Sequence, residues 1–262
     1  MKTGILITAR LGSTRLERKH LLPVLGRPII SFLIERIRNE FLPEISKGEV
    51  EIVIATSDEA ENRAFEQFAG AGLSVFYGDV HNIPLRHLQA AKAGDLAAIV
   101  AVDGDDILCS VQGMRVVYEQ LRQGTPYLHT TGLPLGMNSM GYARPFLERS
   151  LQGHAQSPLE TGWGRIFDDG QRIDMVIPFP HQSDALRFTL DYEEDYRFFA
   201  ALIQKCGSGI LTVTDAELAR IALDEGVFKI NEPISKQYWE NFHRLKREEM
   251  EMSEKAREKG DQ

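Results

Sequence analysis

Residues 4–37 read GILITARLGSTRLERKHLLPVLGRPIISFLIERI, so that a short apolar run, a basic polar loop and a helical pattern follow one another. The run GILITA is typical of a buried strand. Pro28 suits a helix start, and four aliphatic residues recur after it at helical spacing: Ile30, Leu33, Ile34 and Ile37. The stretch therefore predicts a strand, a loop and a helix.

Three more apolar runs have the length and composition of buried strands. They are VEIVIAT (50–56), LSVFY (73–77) and AAIVAV (97–102), and helical patterns separate them. Such alternation predicts an α/β fold with a Rossmann-like, mostly parallel sheet covered by helices on both faces. In such folds, ligands bind beyond the carboxyl ends of the strands.

The pattern of elements divides the 262 residues into a single domain over 1–240 and a charged helical tail over 241–262, which we expect to fray. Glycines and prolines break up residues 124–186, which suggests an inserted arm or lid. After it, LRFTLD (186–191) is predicted as a strand.

Two capping boxes are predicted at helix starts. Thr56 with Glu59 has the spacing of a box before the helix that follows the second strand, and Thr214 with Glu217 has the same spacing further on.

Charge and composition exclude several classes of protein. A net charge of -8 and a pI near 5.5 argue against the broad basic surface that binds a nucleic acid. No apolar run is long enough for a signal peptide or a membrane span, so we expect a cytoplasmic protein without membrane insertion. Cys109 and Cys206 belong to no metal-type pair and are expected to be core or near-core thiols.

The loop after the first strand combines small residues with cations. Gly12 and Ser13 lie among four basic residues: Arg10, Arg15, Arg18 and Lys19. Backbone amides that an anion can approach closely, beside fixed positive charges, suit a triphosphate. The loop is neither a Walker A loop nor a dinucleotide fingerprint. The alternative is a set of ordinary solvated charges at a strand end.

This stretch resembles the cytidylyltransferases of the CMP-KDO synthetase and spore coat polysaccharide type, whose members carry P-A-R-x-x-S-T-R-L-P-G-K-x-L-x-x-L-x-G-K-P after the first strand. The matching residues are Ala9, Arg10, Ser13, Thr14, Arg15, Leu16, Lys19, Leu22, Gly26 and Pro28. Glu17 and Arg18 replace the Pro-Gly of the pattern. The resemblance implies CTP as substrate, Arg10, Arg15 and Lys19 as catalytic residues, and nucleotide contacts from Ala9, Arg10, Gly12, Ser13 and Lys19.

Two aspartates match the family's magnesium ligands. Asp105, in AVDGDDILCS, corresponds to the aspartate of V-x-G-D-x-P-L, and Asp191, in LRFTLDYEED, corresponds to that of L-T-x-D-x-P-E-D. Mg²⁺ is therefore the implied cofactor, held by carboxylates from two strand ends. Gly104 is expected to leave room for the nucleotide. Asp195 is expected to cap or brace a helix, and the alternative for Asp105 is a polar turn.

Other nucleotide contacts are expected from Asn82 and Arg86, which match a family segment that borders the nucleotide. Asp103 lies where relatives carry a polar residue near the base, and its carboxylate could accept a hydrogen bond from the cytosine amino group. The alternatives are a surface position for Arg86 and a third metal-site charge for Asp103. Asp58 either contacts substrate or caps a helix.

The acceptor is expected to be a small acidic sugar or a similar molecule. Asn138, Trp163 and Arg165 lie in the segment that approaches the acceptor in relatives, and they could supply a polar contact, a stacking face and a carboxylate clamp. The alternative for each is a role in a dimer interface, since we also expect a homodimer.

Two other functions fit parts of the sequence. Asp103-Gly104-Asp105 spells the aspartate-x-aspartate signature of metal-dependent glycosyltransferases that consume nucleotide sugars. The basic loop and Asp191 argue against that function, because neither is needed there. A catalytically silent member of the family is the other alternative, since fold alone does not establish function.

Overall fold

The structure is a computed structural model that describes residues 1–70, 72–167, 169–180 and 185–260. Its strands are β1 (Thr3–Thr8), β2 (Pro23–Val24), β3 (Arg27–Pro28), β4 (Val50–Ser57), β5 (Leu73–Gly78), β6 (Ala98–Asp103), β7 (Tyr127–Thr131), β8 (Met140–Ala143) and β9 (Ile173–Val176). Its α-helices are α1 (Ile30–Glu40), α2 (Leu42–Ser46), α3 (Ile83–Ala93), α4 (Val111–Arg122), α5 (Arg144–Ser150), α6 (Glu193–Cys206), α7 (Asp215–Asp224) and α8 (Ser235–Gly260).

Seven of these strands form one sheet in the order β5-β4-β1-β6-β8-β7-β9. The first four strands predicted from the sequence are its parallel half, with Ile5 of β1 opposite Ile52 of β4 and Val100 of β6. All three side chains are buried, as the continuous apolar runs predict. The prediction of an α/β fold with a mostly parallel sheet is confirmed.

Helices cover both faces of the sheet. Leu33 of α1 and Met114 of α4 pack with Ile5 on one face. Leu88 of α3 and Phe146 of α5 pack on the other. A further cluster joins α6 and α7 to α1 beside the carboxyl ends of the strands. The cores on the two faces hold those strand ends in place, and the predicted site residues follow them.

The segment 124–186, interpreted from the sequence as an inserted arm or lid, contributes three strands to the main sheet. β8 pairs antiparallel with β6, β7 pairs antiparallel with β8, and β9 pairs parallel with β7. The short strands β7, β8 and β9 give weak periodic patterns, and glycines lie between them. The described part of this segment thus adds three strands to the main sheet, and its interpretation as an arm or lid stays a prediction.

Residues 186–191 are extended and make a single bridge, between Arg187 and Leu135, so the predicted strand is wrong. The reason is that this segment hydrogen-bonds to two different segments and does not pair along one strand. The Phe188 amide donates to Leu135 O over 2.7 Å, and the Leu190 amide donates to Asp105 O over 2.9 Å.

The capping box predicted at Thr56 and Glu59 is also wrong, because Thr56 lies within β4. The Thr214 cap is confirmed at the start of α7, where its hydroxyl accepts from the Glu217 amide. α8 runs unbroken across the predicted boundary between domain and tail at residue 240. Among the described residues, no helix has the combined length and apolar character that crossing a bilayer requires.

Candidate active site

Buried residues hold the loop after β1 in place, and its polar residues face a cavity. Ala9 and Leu11 are buried in the core, and the Leu11 amide donates to Asn62 Oδ1 over 2.8 Å. Gly12 is exposed, and residues 12–15 line a large cavity at the carboxyl end of the sheet. The alternation of buried and exposed positions therefore turns the predicted phosphate-binding residues toward the cavity.

Lys19 joins this loop to the two predicted metal ligands. Its ammonium nitrogen lies 2.8 Å from Asp105 Oδ2 and 3.0 Å from Asp191 Oδ1. Arg15 contacts the same Asp191 oxygen over 2.5 Å. These four residues are called the ion-pair cluster below.

Charges within the ion-pair cluster stabilise one another. Burial alone would lower the pKa of Lys19, but attraction to Asp105 and then to Asp191 outweighs burial, so the pKa is raised. Burial would likewise raise the pKa of Asp191, yet Lys19 and Arg15 hold it at about 2. Lys19 and Asp191 are therefore both charged at neutral pH.

A set of three carboxylates follows β6. Asp103, Asp105 and Asp106 offer oxygens that all lie within 4.8 Å of one another. Asp103 is exposed to the cavity, but the surrounding protein and then the Asp105 charge raise its pKa to about 7. Burial and then Asp105 raise the pKa of Asp106 well above its usual value. Because the three repel one another and their oxygens are the ligands that magnesium prefers, these residues fit a divalent cation.

Gly104 brings this turn against the loop after β1. Its amide donates to Thr8 O over 2.7 Å, and a Cβ at this position would lie 2.8 Å from both Thr8 O and Ala9 Cβ. The expected room for a nucleotide at Gly104 is thus filled by the end of β1. A glycine is needed here so that Asp103 and Asp105 can lie beside the loop.

Asp191 is held in place from behind by a buried network. Asp195 accepts hydrogen bonds from the Asp191 amide over 2.9 Å and from the Arg187 guanidinium over 2.9 and 3.1 Å. Asn231 donates to Asp195 as well. Asp195 therefore braces the start of α6, as expected from the sequence, and positions its neighbour.

Asn82 and Arg86 occupy different surroundings. Asn82 is the N-cap of α3, accepting from the Leu85 amide, and its side-chain amide donates to two carbonyls of the segment 154–157. It is buried and does not line the large cavity. Arg86 does line it, although its guanidinium donates to Asp79 O and Val80 O. Burial lowers the Arg86 pKa to about 10.

The three predicted acceptor residues are not brought together. Asn138 donates to Leu133 O within the turn between β7 and β8. Arg165 donates to Thr161 O over 2.6 Å and braces its own segment. Trp163 alone of the three lines the cavity, where its side chain hydrogen-bonds to Asp103.

The cavity has a volume of about 640 Å³. Arg10 lies at its wall and pairs with Glu160 over 2.5 Å. The opposite wall is formed by α8, which the sequence did not assign to the site. The α8 residues that line the cavity are Tyr238, Asn241, Phe242, Arg244, Leu245 and Glu249.

The sequence profile of the family described as Cytidylyltransferase matches residues 4–148. The chain belongs to this family. The matched residues include the loop after β1 and the three carboxylates after β6. The resemblance seen in the sequence is thereby confirmed.

Relatives of this cytidylyltransferase include the spore coat polysaccharide biosynthesis protein SpsF of Bacillus subtilis, which is 27% identical over 77% of this chain and 86% of its own length. The 8-amino-3,8-dideoxy-manno-octulosonate cytidylyltransferase of Shewanella frigidimarina is 31% identical over 43% of this chain and 41% of its own length.

Solved structures support the same fold. A cytidylyltransferase from Leptospira borgpetersenii has a TM-score of 0.73 and 26% identity, covering 87% of this chain and 96% of its own. The CMP:2-keto-3-deoxy-manno-octonic acid synthetase complexed with CTP has a TM-score of 0.52 and 17% identity, over 78% of this chain and 99% of its own, which shows the fold alone.

Two features of the cytidylyltransferase site escaped the sequence reasoning. The first is Asp106, which directly follows Asp105. The run of acidic residues after a predicted strand could have indicated its place in the site. The second is the cavity wall formed by α8. The helical spacing of Tyr238, Phe242 and Leu245 within a charged stretch could have predicted that this helix buries one apolar face.

Proposed function

We propose that this cytidylyltransferase transfers CMP from CTP to an acidic sugar or sugar-like acceptor, releases pyrophosphate and depends on Mg²⁺. The observation that carries the proposal is the ion-pair cluster. It joins the cations of the phosphate-binding loop to carboxylates from two separate segments at one end of a cavity large enough for two substrates. A nucleoside triphosphate needs the cations, and its divalent metal ion needs the carboxylates beside them.

In the reaction, a hydroxyl oxygen of the acceptor attacks the α-phosphorus of CTP, and the hydroxyl proton passes to solvent. The bond to the β-phosphate oxygen breaks, and pyrophosphate leaves with the electron pair. Arg10, Arg15 and Lys19 neutralise the charge that grows on this leaving group. Lys19 now rests between Asp105 and Asp191, and the triphosphate offers its ammonium group a competing anion.

Asp105 and Asp191 would hold the magnesium ion, with Asp103 and Asp106 beside it. The ion supplies charge neutralisation at the phosphates when bound. Arg187 and Asp195 keep Asp191 oriented by the hydrogen bonds described above, so that its carboxylate is placed before a ligand arrives.

Asp103 is proposed to read the base, because its carboxylate faces the cavity and can accept from the cytosine amino group. Trp163 supports this role through its hydrogen bond to Asp103. Arg86 lines the same cavity and contributes positive charge there. The contacts of Asn82, by contrast, favour support of the loop over direct nucleotide binding.

Synthesis of a surface polysaccharide or glycoconjugate is the proposed context, supported by the names of the relatives, which refer to spore coat polysaccharide and to octulosonate sugars. A cytoplasmic location and a homodimer belong to the same proposal. Ile173 and Val176 expose apolar side chains on the edge strand β9, a surface suited to a second copy. Light scattering coupled to gel filtration measures the mass, and a monomer throughout contradicts the dimer.

Pyrophosphate release tests the reaction. Each of the four nucleoside triphosphates is combined with octulosonate, sialic-acid-like and phosphorylated or phosphonate acceptors, with Mg²⁺ and with excess chelator. We expect release only with CTP, an acidic acceptor and metal. Release of a nucleoside diphosphate from a nucleotide sugar would instead support a glycosyltransferase, and no turnover with any combination would support a silent family member.

A further inference from the structure

One face of α8 is turned toward the cavity. Among its described side chains, the partly buried ones recur at positions 235, 238, 241, 242, 245, 246, 249 and 253, the three- and four-residue spacing of one helical face. Five of these also line the cavity, so this face borders an open cavity rather than a packed core. A purely structural helix would bury such a face against other side chains.

The helix is anchored at its first turns beside Asp191. The Arg187 guanidinium lies 3.9 Å from the centre of the Tyr238 ring, and the Asn241 amide donates to the Tyr192 hydroxyl over 2.7 Å. Since Arg187 also contacts Asp191, this end of α8 adjoins the ion-pair cluster.

A second anchor lies three turns later. Glu249 accepts from the backbone amides of Thr161 and Glu160 over 2.8 and 3.2 Å, and it pairs with Arg165 over 3.2 Å. Arg165, predicted from the sequence as a carboxylate clamp for the acceptor, thus holds a carboxylate of the chain itself. With both ends attached, α8 spans the cavity from the ion-pair cluster to the segment around Gly162.

Between the anchors, α8 presents an apolar surface edged by polar groups. Phe242 lies over Gly162, with its Cζ 3.4 Å from the position that a Cβ would take. Leu245 continues this surface one turn on, while Asn241 and Arg244 lie at its edges, and Arg244 pairs there with the exposed Glu248 over 2.9 Å. Apolar C–H groups of a sugar ring pack on such a surface, and hydroxyl or carboxylate groups suit its edges.

We propose that this face of α8 forms the acceptor subsite: Phe242 and Leu245 pack on the sugar ring, and Arg244 binds its carboxylate. The inference rests on the proposed function and adds the residues that select the acceptor. α8 lies outside residues 4–148, which the family profile matches. Residues that bind the nucleotide common to the family are expected within that match, whereas residues that select a differing acceptor are expected outside it.

Two pairs of variants test the subsite. Phe242→Ala is matched by Met250→Ala, which truncates a large apolar side chain on the exposed side of the same helix, away from the cavity. Arg244→Gln is matched by Arg247→Gln, which removes the same charge from an exposed position that does not line the cavity. Pyrophosphate release is measured with CTP and acceptor varied separately, and CTP binding is measured by calorimetry with Ca²⁺ in place of Mg²⁺.

Phe242→Ala is expected to raise the acceptor KM by about ten- to hundredfold and to leave the CTP Kd unchanged. Arg244→Gln is expected to raise the acceptor KM by about tenfold or more. Both matched controls should keep wild-type constants. An equal loss of CTP affinity, or an unchanged acceptor KM, would overturn the subsite while the proposed function stands. Absence of pyrophosphate release from wild-type protein would overturn the proposed function, and the subsite with it.

Discussion

Replacing Lys19 with methionine removes the ammonium group and keeps a side chain of similar length. We expect the maximal rate of pyrophosphate release to fall, because the charge on the leaving group grows as the bond to the α-phosphorus breaks. An interaction that strengthens in the transition state lowers kcat when it is lost, whereas simple neutralisation of bound CTP would raise only the KM for CTP.

The magnitude follows from the contacts of Lys19. One charged donor to a developing anion is worth about 10²–10³-fold in kcat. Lys19 is only 7% exposed and contacts two carboxylates, so its loss also leaves buried negative charge behind. Breaking a buried pair costs about 3–5 kcal/mol of unfolding free energy. Because Arg15 still contacts Asp191, we expect a value near the lower end of that range.

Steady-state kinetics with CTP and acceptor varied separately, together with urea unfolding, measure both effects. Arg18→Met is the matched control: it removes the same charge from the same loop at an exposed position that does not line the cavity. The control should change kcat by no more than about twofold. If Lys19→Met keeps kcat and raises only the acceptor KM, this loop binds the acceptor and the assignment is wrong.

Three further predictions concern metal, base and pH. Asp105→Asn, Asp191→Asn and the double variant should lose activity to a similar extent, since both carboxylates serve one ion; losses that multiply independently, or activity in excess chelator, contradict this. Asp103→Asn should relax the preference for CTP over UTP by about 1–3 kcal/mol in kcat/KM, and equal turnover of both nucleotides by the wild type argues against base reading by Asp103. Burial lowers the pKa of His87 to about 3, below its usual 6.5, so the unfolded chain binds more protons between these values and stability falls as the pH drops below 6.5. At pH 5 this effect amounts to about 2 kcal/mol, and urea unfolding of His87→Gln should show a correspondingly weaker pH dependence than the wild type; identical slopes refute it.

The parallel half of the sheet could be predicted because strands buried on both faces have continuous apolar sequences. The proximity of Lys19, Asp105 and Asp191 could also be predicted from the sequence, since each follows or lies near the end of an apolar run, and these ends lie at the same edge of the molecule. Asp191 was placed correctly at this edge although its segment is not a strand. Its position depends on bridging Leu135 and Asp105, which local sequence does not reveal.

Polar residues in irregular segments were harder to interpret. Asn82, Asn138 and Arg165 have the side chains that ligand sites use, but in the structure they donate to backbone carbonyls. Buried carbonyls outside helices and strands need such donors as much as a substrate does. Residue type cannot separate the two uses, because the partner carbonyls become neighbours only once the chain has folded.

α8 connects the proposed acceptor subsite to the carboxylates of the ion-pair cluster. Its Tyr238 ring packs on the Arg187 guanidinium, and Arg187 bonds both Asp191 and Asp195. A shift of α8 toward or away from the cavity therefore changes the support of Asp191 through Arg187, which is buried together with Asp191 and Asp195. An acceptor that packs against α8 would stabilise this arrangement, so that binding energy from the sugar ring helps to hold Asp191 in its working position. The proposed acceptor subsite thus gives a physical reason for a poor acceptor to lower the maximal rate as well as to bind weakly.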